Sequence, residues 1–364
     1  MQELYPLRFK EILRNYGFGD RWIVDAFDKD GLPGDHRIAE TWEVCDRPGE
    51  SSEVINGALT GKTLHEIIDL YGEPFLGRDV VARCGVRFPL LIKFLDASNV
   101  LGEQSHHSDE LAAQHGLTDP GKTEAWYMLK TRPGATIRCG HVAGTTPERV
   151  RAAVLDGTIK ELMPEYAIQP GDAFLLYAGA MHYSAGGALL YEIMQNSDVY
   201  IGLRPPPEHL TPAQREAWIA LAVAGVNLEA GFDPKTVPVT VQEGENRHTW
   251  VLACPYFALE RLDLVEPYTI DCDGERFYVL SQIEGTSTVA CGAQRVPLKA
   301  GQTCLLPADL GVAQIVPGGA CALLKAYVPD LGRNVIEPLR RAGVPQEGIA
   351  ALGGQTTLNA LHGA

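Results

Sequence analysis

Pro170-Gly171-Asp172-Ala173-Phe174-Leu175-Leu176-Tyr177-Ala178-Gly179-Ala180-Met181-His182 has a counterpart in the second half of the chain, Ala300-Gly301-Gln302-Thr303-Cys304-Leu305-Leu306-Pro307-Ala308-Asp309-Leu310-Gly311-Val312. Each segment opens on a glycine turn and continues through a short apolar run, the pattern of a buried strand. A strand and turn repeated in both halves makes the chain two copies of one β unit. The copies differ in chemistry. A metal-competent histidine, His182, faces Val312 in the alignment, so only the first copy is expected to hold a metal.

The rest of the chain has the same texture. The run from Phe88 to Leu95 is apolar on both faces except at Lys93 and reads as a buried strand. Further strands are expected over Ala125 to Leu129, Thr136 to Gly140, Ala188 to Met194, Tyr256 to Leu264, Arg276 to Ile283, Gly285 to Ala290 and Cys321 to Tyr327. Gly31-Leu32-Pro33-Gly34 and Gly72-Glu73-Pro74 mark turns. Helical patterns cover Thr63 to Leu70, Asp109 to His115, Pro147 to Asp156 and Pro212 to Ala224, the last capped by Thr211. Short strands separated by glycine and proline predict a mainly β fold of two antiparallel barrels or jelly rolls with inserted and C-terminal helices. The expected division is a metal-binding unit over 1–205 with an N-terminal wrapping segment, a helical insert and linker over 206–240, a second, metal-free unit over 241–328, and a C-terminal helical extension over 329–364. That extension is read as two short helices and a loose, glycine-rich tail.

Composition narrows the function. The formal net charge is -15, which opposes binding to a nucleic-acid backbone, and no apolar run is long enough to span a membrane. The first residues lack a basic segment followed by an apolar one, so a soluble cytoplasmic protein is expected. Eight cysteines lie far apart with no C-x-x-C pair, and they read as reduced, mostly buried thiols.

The reactive residues fall in the first half. Gln104 and His106 are two apart, so on extended chain their side chains share a face. Glu124 comes from the next strand, and the turn Gly179-Ala180-Met181 aims His182 into a barrel mouth. An amide oxygen, a carboxylate and two imidazoles suit zinc or another divalent first-row ion and leave a position open for water or substrate. Lys122 lies beside Glu124, where a neighbouring cation can lower the pKa of an ammonium. Lys93 is expected to face the pocket, because an ammonium buried in an apolar strand needs a partner. Glu192 is read as either a buried carboxylate of raised pKa or an ion-pair partner.

Several segments together carry a resemblance. Gly171 followed by Tyr177-x-Gly179-x-x-His182 resembles the second cupin motif, with Tyr177 in place of its usual proline. The stretches Glu40-Thr41-Trp42-Glu43-Val44, Phe88 to Ala97, Gln104-Ser105-His106, Gly121-Lys122-Thr123-Glu124-Ala125-Trp126-Tyr127, Glu192 to Asp198 and Cys254-Pro255-Tyr256-Phe257 resemble, in order, the signatures of type I phosphomannose isomerases. The resemblance implies a zinc cupin that interconverts mannose 6-phosphate and fructose 6-phosphate through an enediolate. It implies Gln104, His106, Glu124 and His182 as metal ligands, with Lys122, Glu192 and Asp198 around the sugar.

Two departures lie near the expected pocket. The segment after Asp198, Val199-Tyr200-Ile201-Gly202-Leu203-Arg204, is shortened where the family has an arginine, and Arg204 either replaces that arginine from a neighbouring position or has a structural role before the proline run. His107 stands where the family has proline, adding an imidazole that either ligates or faces solvent. These departures keep open an isomerase of another sugar or sugar phosphate, or a non-catalytic sugar-binding cupin.

Overall fold

The computed structural model describes residues 3–27, 29 and 37–362; the turn expected at 31–34 lies outside them. Two antiparallel sheets make up each half. In the first half a six-stranded sheet runs in the order Ala173–Leu176, Glu124–Thr131, Ala188–Gln195, Leu90–Ala97, Glu40–Val44 and Ile12–Arg14. Facing it is a sheet in the order Glu165–Ala167, Thr136–Cys139, His182–Ser184, Leu101–Ser105 and Ile201–Gly202.

The second half repeats this order. Thr303–Leu306, Tyr278–Glu284, Cys321–Tyr327, Ala258–Leu264, Asn246–Ala253 and Val239–Glu243 form its larger sheet, and Gln294–Lys299, Thr286–Cys291, Gly311–Pro317 and Tyr268–Cys272 form the smaller. Register agrees in detail. Leu176 lies opposite Glu124 and Leu306 opposite Tyr278. His182 lies opposite Gln104, and Val312 opposite Asp271. A register shift follows Trp42 in one half and Trp250 in the other. The second half thus has Tyr278 and Val312 where the first has Glu124 and His182.

The central strands Leu90–Ala97 and Ala188–Gln195 are buried along their whole length, as continuous apolar runs covered on both faces require. One core joins the halves, bringing Leu7, Phe94 and Trp126 together with Phe277 and Leu324. The N-terminal segment serves both. Leu7–Arg8 extends the second half's sheet beside Cys304 and Leu305, and Ile12–Arg14 then joins the first.

Helices occupy the connections. Thr63 caps Leu64–Tyr71 through a reciprocal bond with Glu66, and Thr211 caps Pro212–Ala224 through Gln214. Among the described residues no helix is long and apolar enough to cross a membrane. All eight cysteines are free, six of them buried.

The C-terminal tail corrects the expectation of a loose end. Gly332–Ile336, Glu337–Arg341 and Gln346–Ala350 pack with Trp250 and Tyr327, and Leu361 is fully buried among them. The Asn359 side chain donates to the carbonyls of Ala350 and Gly354, and Thr356 and Thr357 bond Glu229 of the linker. Glycines put the backbone where it must turn, and the buried Leu361 and Asn359 pin it.

Candidate metal centre and its pocket

The first half's two sheets bring His106, Glu124 and His182 into one buried group whose ligand atoms all lie within 4.8 Å of one another. Glu124 opens its strand and His182 opens another, while His106 follows the end of Leu101–Ser105. Gly179 makes this geometry possible. Its φ of +87° suits glycine, its N–H donates to the His106 carbonyl, and a Cβ there would meet the Asn227 nitrogen at 2.8 Å.

Both histidines present the same face. His106 Nδ1 bonds the Val199 carbonyl at 2.8 Å and His182 Nδ1 bonds the Ala180 carbonyl at 2.9 Å, which puts the proton on Nδ1 and leaves each Nε2 a bare acceptor. These Nε2 atoms lie 3.3 and 3.2 Å from the Glu124 carboxylate. Acceptors facing acceptors cannot satisfy one another, and His106 Nε2, His182 Nε2 and Glu124 Oε1 are buried without a hydrogen-bond partner. A cation at the centre resolves that conflict, so the donor set fits a divalent metal. Gln104 lies opposite His182 in the strand register.

Electrostatics agree. Burial, reinforced by the Lys122 ammonium, pushes His106 down to about 3, which keeps the ring neutral. Burial opposes ionisation of Glu124, yet the Lys122 ammonium leads the influences that outweigh it and hold the carboxyl well below its usual range. Lys122 Nζ is 3.0 Å from Glu124.

A cavity of about 440 Å³ opens beside the group, and Gln104, Lys93, Lys122, Glu192, Asp198 and Arg204 all line it. The pocket therefore unites every residue singled out around the metal. Lys93 faces it as expected, bonded to Glu192 at 3.0 Å and Glu40 at 3.3 Å, and those carboxylates overcome burial to raise its pKa. Glu192 is thus an ion-pair partner, and its other oxygen accepts from the Trp126 indole at 2.9 Å. Asp198 and Arg204 are exposed at the mouth.

His107 lies outside the ligand group and is not turned to solvent: it is buried, edge-on to His115 at 5.5 Å. Sequence reasoning gave no site role to Glu40, Trp42, Tyr16, Phe18 or Tyr200, which also line the pocket. The signal for two of them was present, since Glu40 and Trp42 share a strand face and the Trp42 indole donates to Glu40 at 2.6 Å.

Comparison with known proteins gives the family. The family described as phosphomannose isomerase type I, catalytic domain, matches residues 8–126, and that described as mannose-6-phosphate isomerase, cupin domain, matches residues 246–328. Mannose-6-phosphate isomerase ManA of Bacillus subtilis (strain 168) is 30% identical over 307 residues, covering 84% of this chain and 94% of that protein. The putative mannose-6-phosphate isomerase YvyI of the same organism is 30% identical over 327 residues, covering 89% and 99%. The crystal structure of a mannose 6-phosphate isomerase from Bacillus subtilis superposes with a TM-score of 0.76 at 26% identity, over 88% of this chain and 99% of that one.

Proposed function

Because the chain belongs to the type I phosphomannose isomerase family, we propose that it interconverts mannose 6-phosphate and fructose 6-phosphate in the pocket lined by Lys122 and Arg204. The observation that carries this reading is the convergence of bare acceptors from His106, Glu124 and His182 beside that pocket. In this reading Gln104, His106, Glu124 and His182 hold a zinc ion. When bound, the ion supplies a Lewis acid for the oxygens of an enediolate.

The chain's own residues do the rest. Arg204 has no carboxylate partner among the described residues and takes the phosphate dianion, for which a guanidinium fork is well shaped. Two of the three Lys93 donors are spent on Glu40 and Glu192, and the third is left for a sugar oxygen. Glu192, engaged by Lys93 and Trp126, is a positioning residue for that ammonium. Asp198 lines the pocket with no side-chain partner among the described residues and serves as the base. It takes the proton from the carbon beside the carbonyl and returns it to the neighbouring carbon, while Lys122 gives a proton to the carbonyl oxygen and takes one back from the adjacent hydroxyl.

A coupled assay of mannose 6-phosphate conversion, run on zinc-loaded and on chelated protein, tests the reading. Activity lost on chelation and restored by zinc supports it. Zinc-replete protein that binds the sugar phosphate without turning it over overturns it.

A further inference from the structure

The largest cavity described here is not the metal pocket. A space of about 620 Å³ lies at the seam of the two halves and shares no lining residue with the metal pocket of about 440 Å³. Its walls come from the end of the helix Arg78–Cys84, the loop 117–120 that leads to Lys122, the strand end at Gln195 and Asn196, and Pro255, Tyr256 and Val328 of the second half. That volume is within the range of small-molecule sites.

Its charges are unevenly compensated. Each acidic side chain in the wall has partners of its own, although those of Asp109 are neutral donors that leave its charge in place. Asp109 accepts from Gly121 N–H at 2.8 Å, Gln195 at 3.1 Å and the Tyr256 hydroxyl at 2.8 Å. Asp119 is bonded by Arg47 at 2.8 Å, and Asp46 faces His65 at 3.3 Å. The two arginines are different. Arg83 donates only to the carbonyls of Pro255 and Pro329, and Arg87 to the carbonyl of Cys84. Neither has a carboxylate partner among the described residues. Carbonyls orient a guanidinium without neutralising it, so a chain of net charge -15 keeps two uncompensated cations at the rim of one cavity. Phe88, Pro89 and Tyr256 offer an apolar wall beside them.

Hydrogen bonds connect the cavity to the metal pocket. Gln195, lining the seam, accepts from Thr123 N–H at 2.8 Å, next to Glu124. Asp119 accepts from Asp198 N–H at 2.8 Å, and Asp109 holds Gly121, next to Lys122. Three hydrogen bonds thus tie the seam to the backbone that carries Lys122, Glu124 and Asp198.

We propose that the seam cavity is a second, non-catalytic site for a phosphate monoester, its phosphate held by Arg83 and Arg87, and that occupancy tunes the metal pocket through Asp109, Asp119 and Gln195. The binding site rests on its own geometry; the tuning rests on the reading of the metal pocket.

Equilibrium dialysis of the zinc-loaded protein, with an excess of the mannose 6-phosphate and fructose 6-phosphate mixture filling the metal pocket, tests it with inorganic phosphate, glycerol 3-phosphate and adenosine 5′-monophosphate as probes. At least one ester should bind once per chain undisplaced by the sugar phosphates, and Arg87→Ala should weaken it about tenfold or more. Arg87 is exposed and bonds only a local carbonyl, so that variant folds; Arg83→Ala is the second. Undisplaced binding of none of the three, of inorganic phosphate alone, or of an ester equally well by Arg87→Ala overturns the site. The bound ester should change KM or kcat about twofold or more in the wild type and not in Arg87→Ala, and binding with no kinetic change overturns the tuning.

Discussion

Glu260 occupies in the second half the position that Lys93 occupies in the first. Each is the cross-strand partner of a tryptophan, Trp250 and Trp42, beside the same bulge. Each bonds an opposite charge on the next strand, Lys325 at 2.6 Å and Glu192 at 3.0 Å. The two halves thus keep one ion pair with its polarity exchanged. The first pair opens onto a pocket and leaves donors for a ligand. The second is closed: Glu260 also accepts from His248 at 2.6 Å and from the Tyr327 hydroxyl at 2.5 Å, and the C-terminal extension packs against Trp250 and Tyr327.

The closed pair predicts an acid-sensitive stability. Burial opposes the Glu260 charge, but Lys325 and His248 prevail and bring its carboxyl to about 2, against 4.5 when free. A lowered pKa contributes stability that is complete above about pH 4.5 and is lost as pH falls toward 2. Glu260→Gln should therefore destabilise the chain by about 3 kcal/mol near neutrality and by clearly less at low pH. Urea denaturation midpoints at several pH values measure this, and a difference that does not shrink with acid would refute the assignment.

Removing a metal ligand separates binding from folding. His182→Ala takes away one bare acceptor and one bond to the Ala180 carbonyl, while the surrounding core is unchanged. Zinc content by elemental analysis should drop from about one per chain toward zero, with the circular dichroism spectrum retained. Full zinc occupancy in the variant would show that His182 is not a ligand.

Arg204 and Asp198 should fail in different ways. Losing a phosphate anchor weakens binding more than chemistry, so Arg204→Ala should raise KM by about tenfold or more with a smaller change in kcat. Asp198→Asn, which removes the base and keeps the shape, should lower kcat by about a hundredfold or more. Steady-state kinetics decides, and a kcat in Asp198→Asn near the wild-type value would move the base elsewhere.

What the sequence made legible was the apolar framework and the candidate site residues set into it. Cys321–Tyr327 and Pro147–Asp156 have their expected bounds because burial on both faces, or proline and a threonine cap at a helix start, marks them locally. His106 was legible from its spacing two residues after Gln104, Glu124 as the carboxylate opening the next strand, and His182 from the turn Gly179-Ala180-Met181 before it. Strands such as Val239–Glu243, Asn246–Ala253 and Gln294–Lys299 were not, because their exposed faces carry Gln242, Arg247 and Arg295 and dilute the apolar signal. Tyr16 and Phe18 reach the pocket only through the wrapping of the N-terminal segment, a long-range event that no local pattern records.

The pinned tail gives the last prediction. Leu361 is fully buried in the cluster of Trp250, Tyr327, Leu339 and Leu352, so Leu361→Ala leaves a cavity at the end of the chain. A buried leucine cut back to alanine costs about 2–5 kcal/mol when its surroundings do not collapse. The metal pocket belongs to the other half, so isomerase activity at a temperature where the variant stays folded should match the wild type. Urea denaturation measures the stability change. A variant within about 0.5 kcal/mol of the wild type would mean that the tail detaches freely and that the second half's closure does not depend on it.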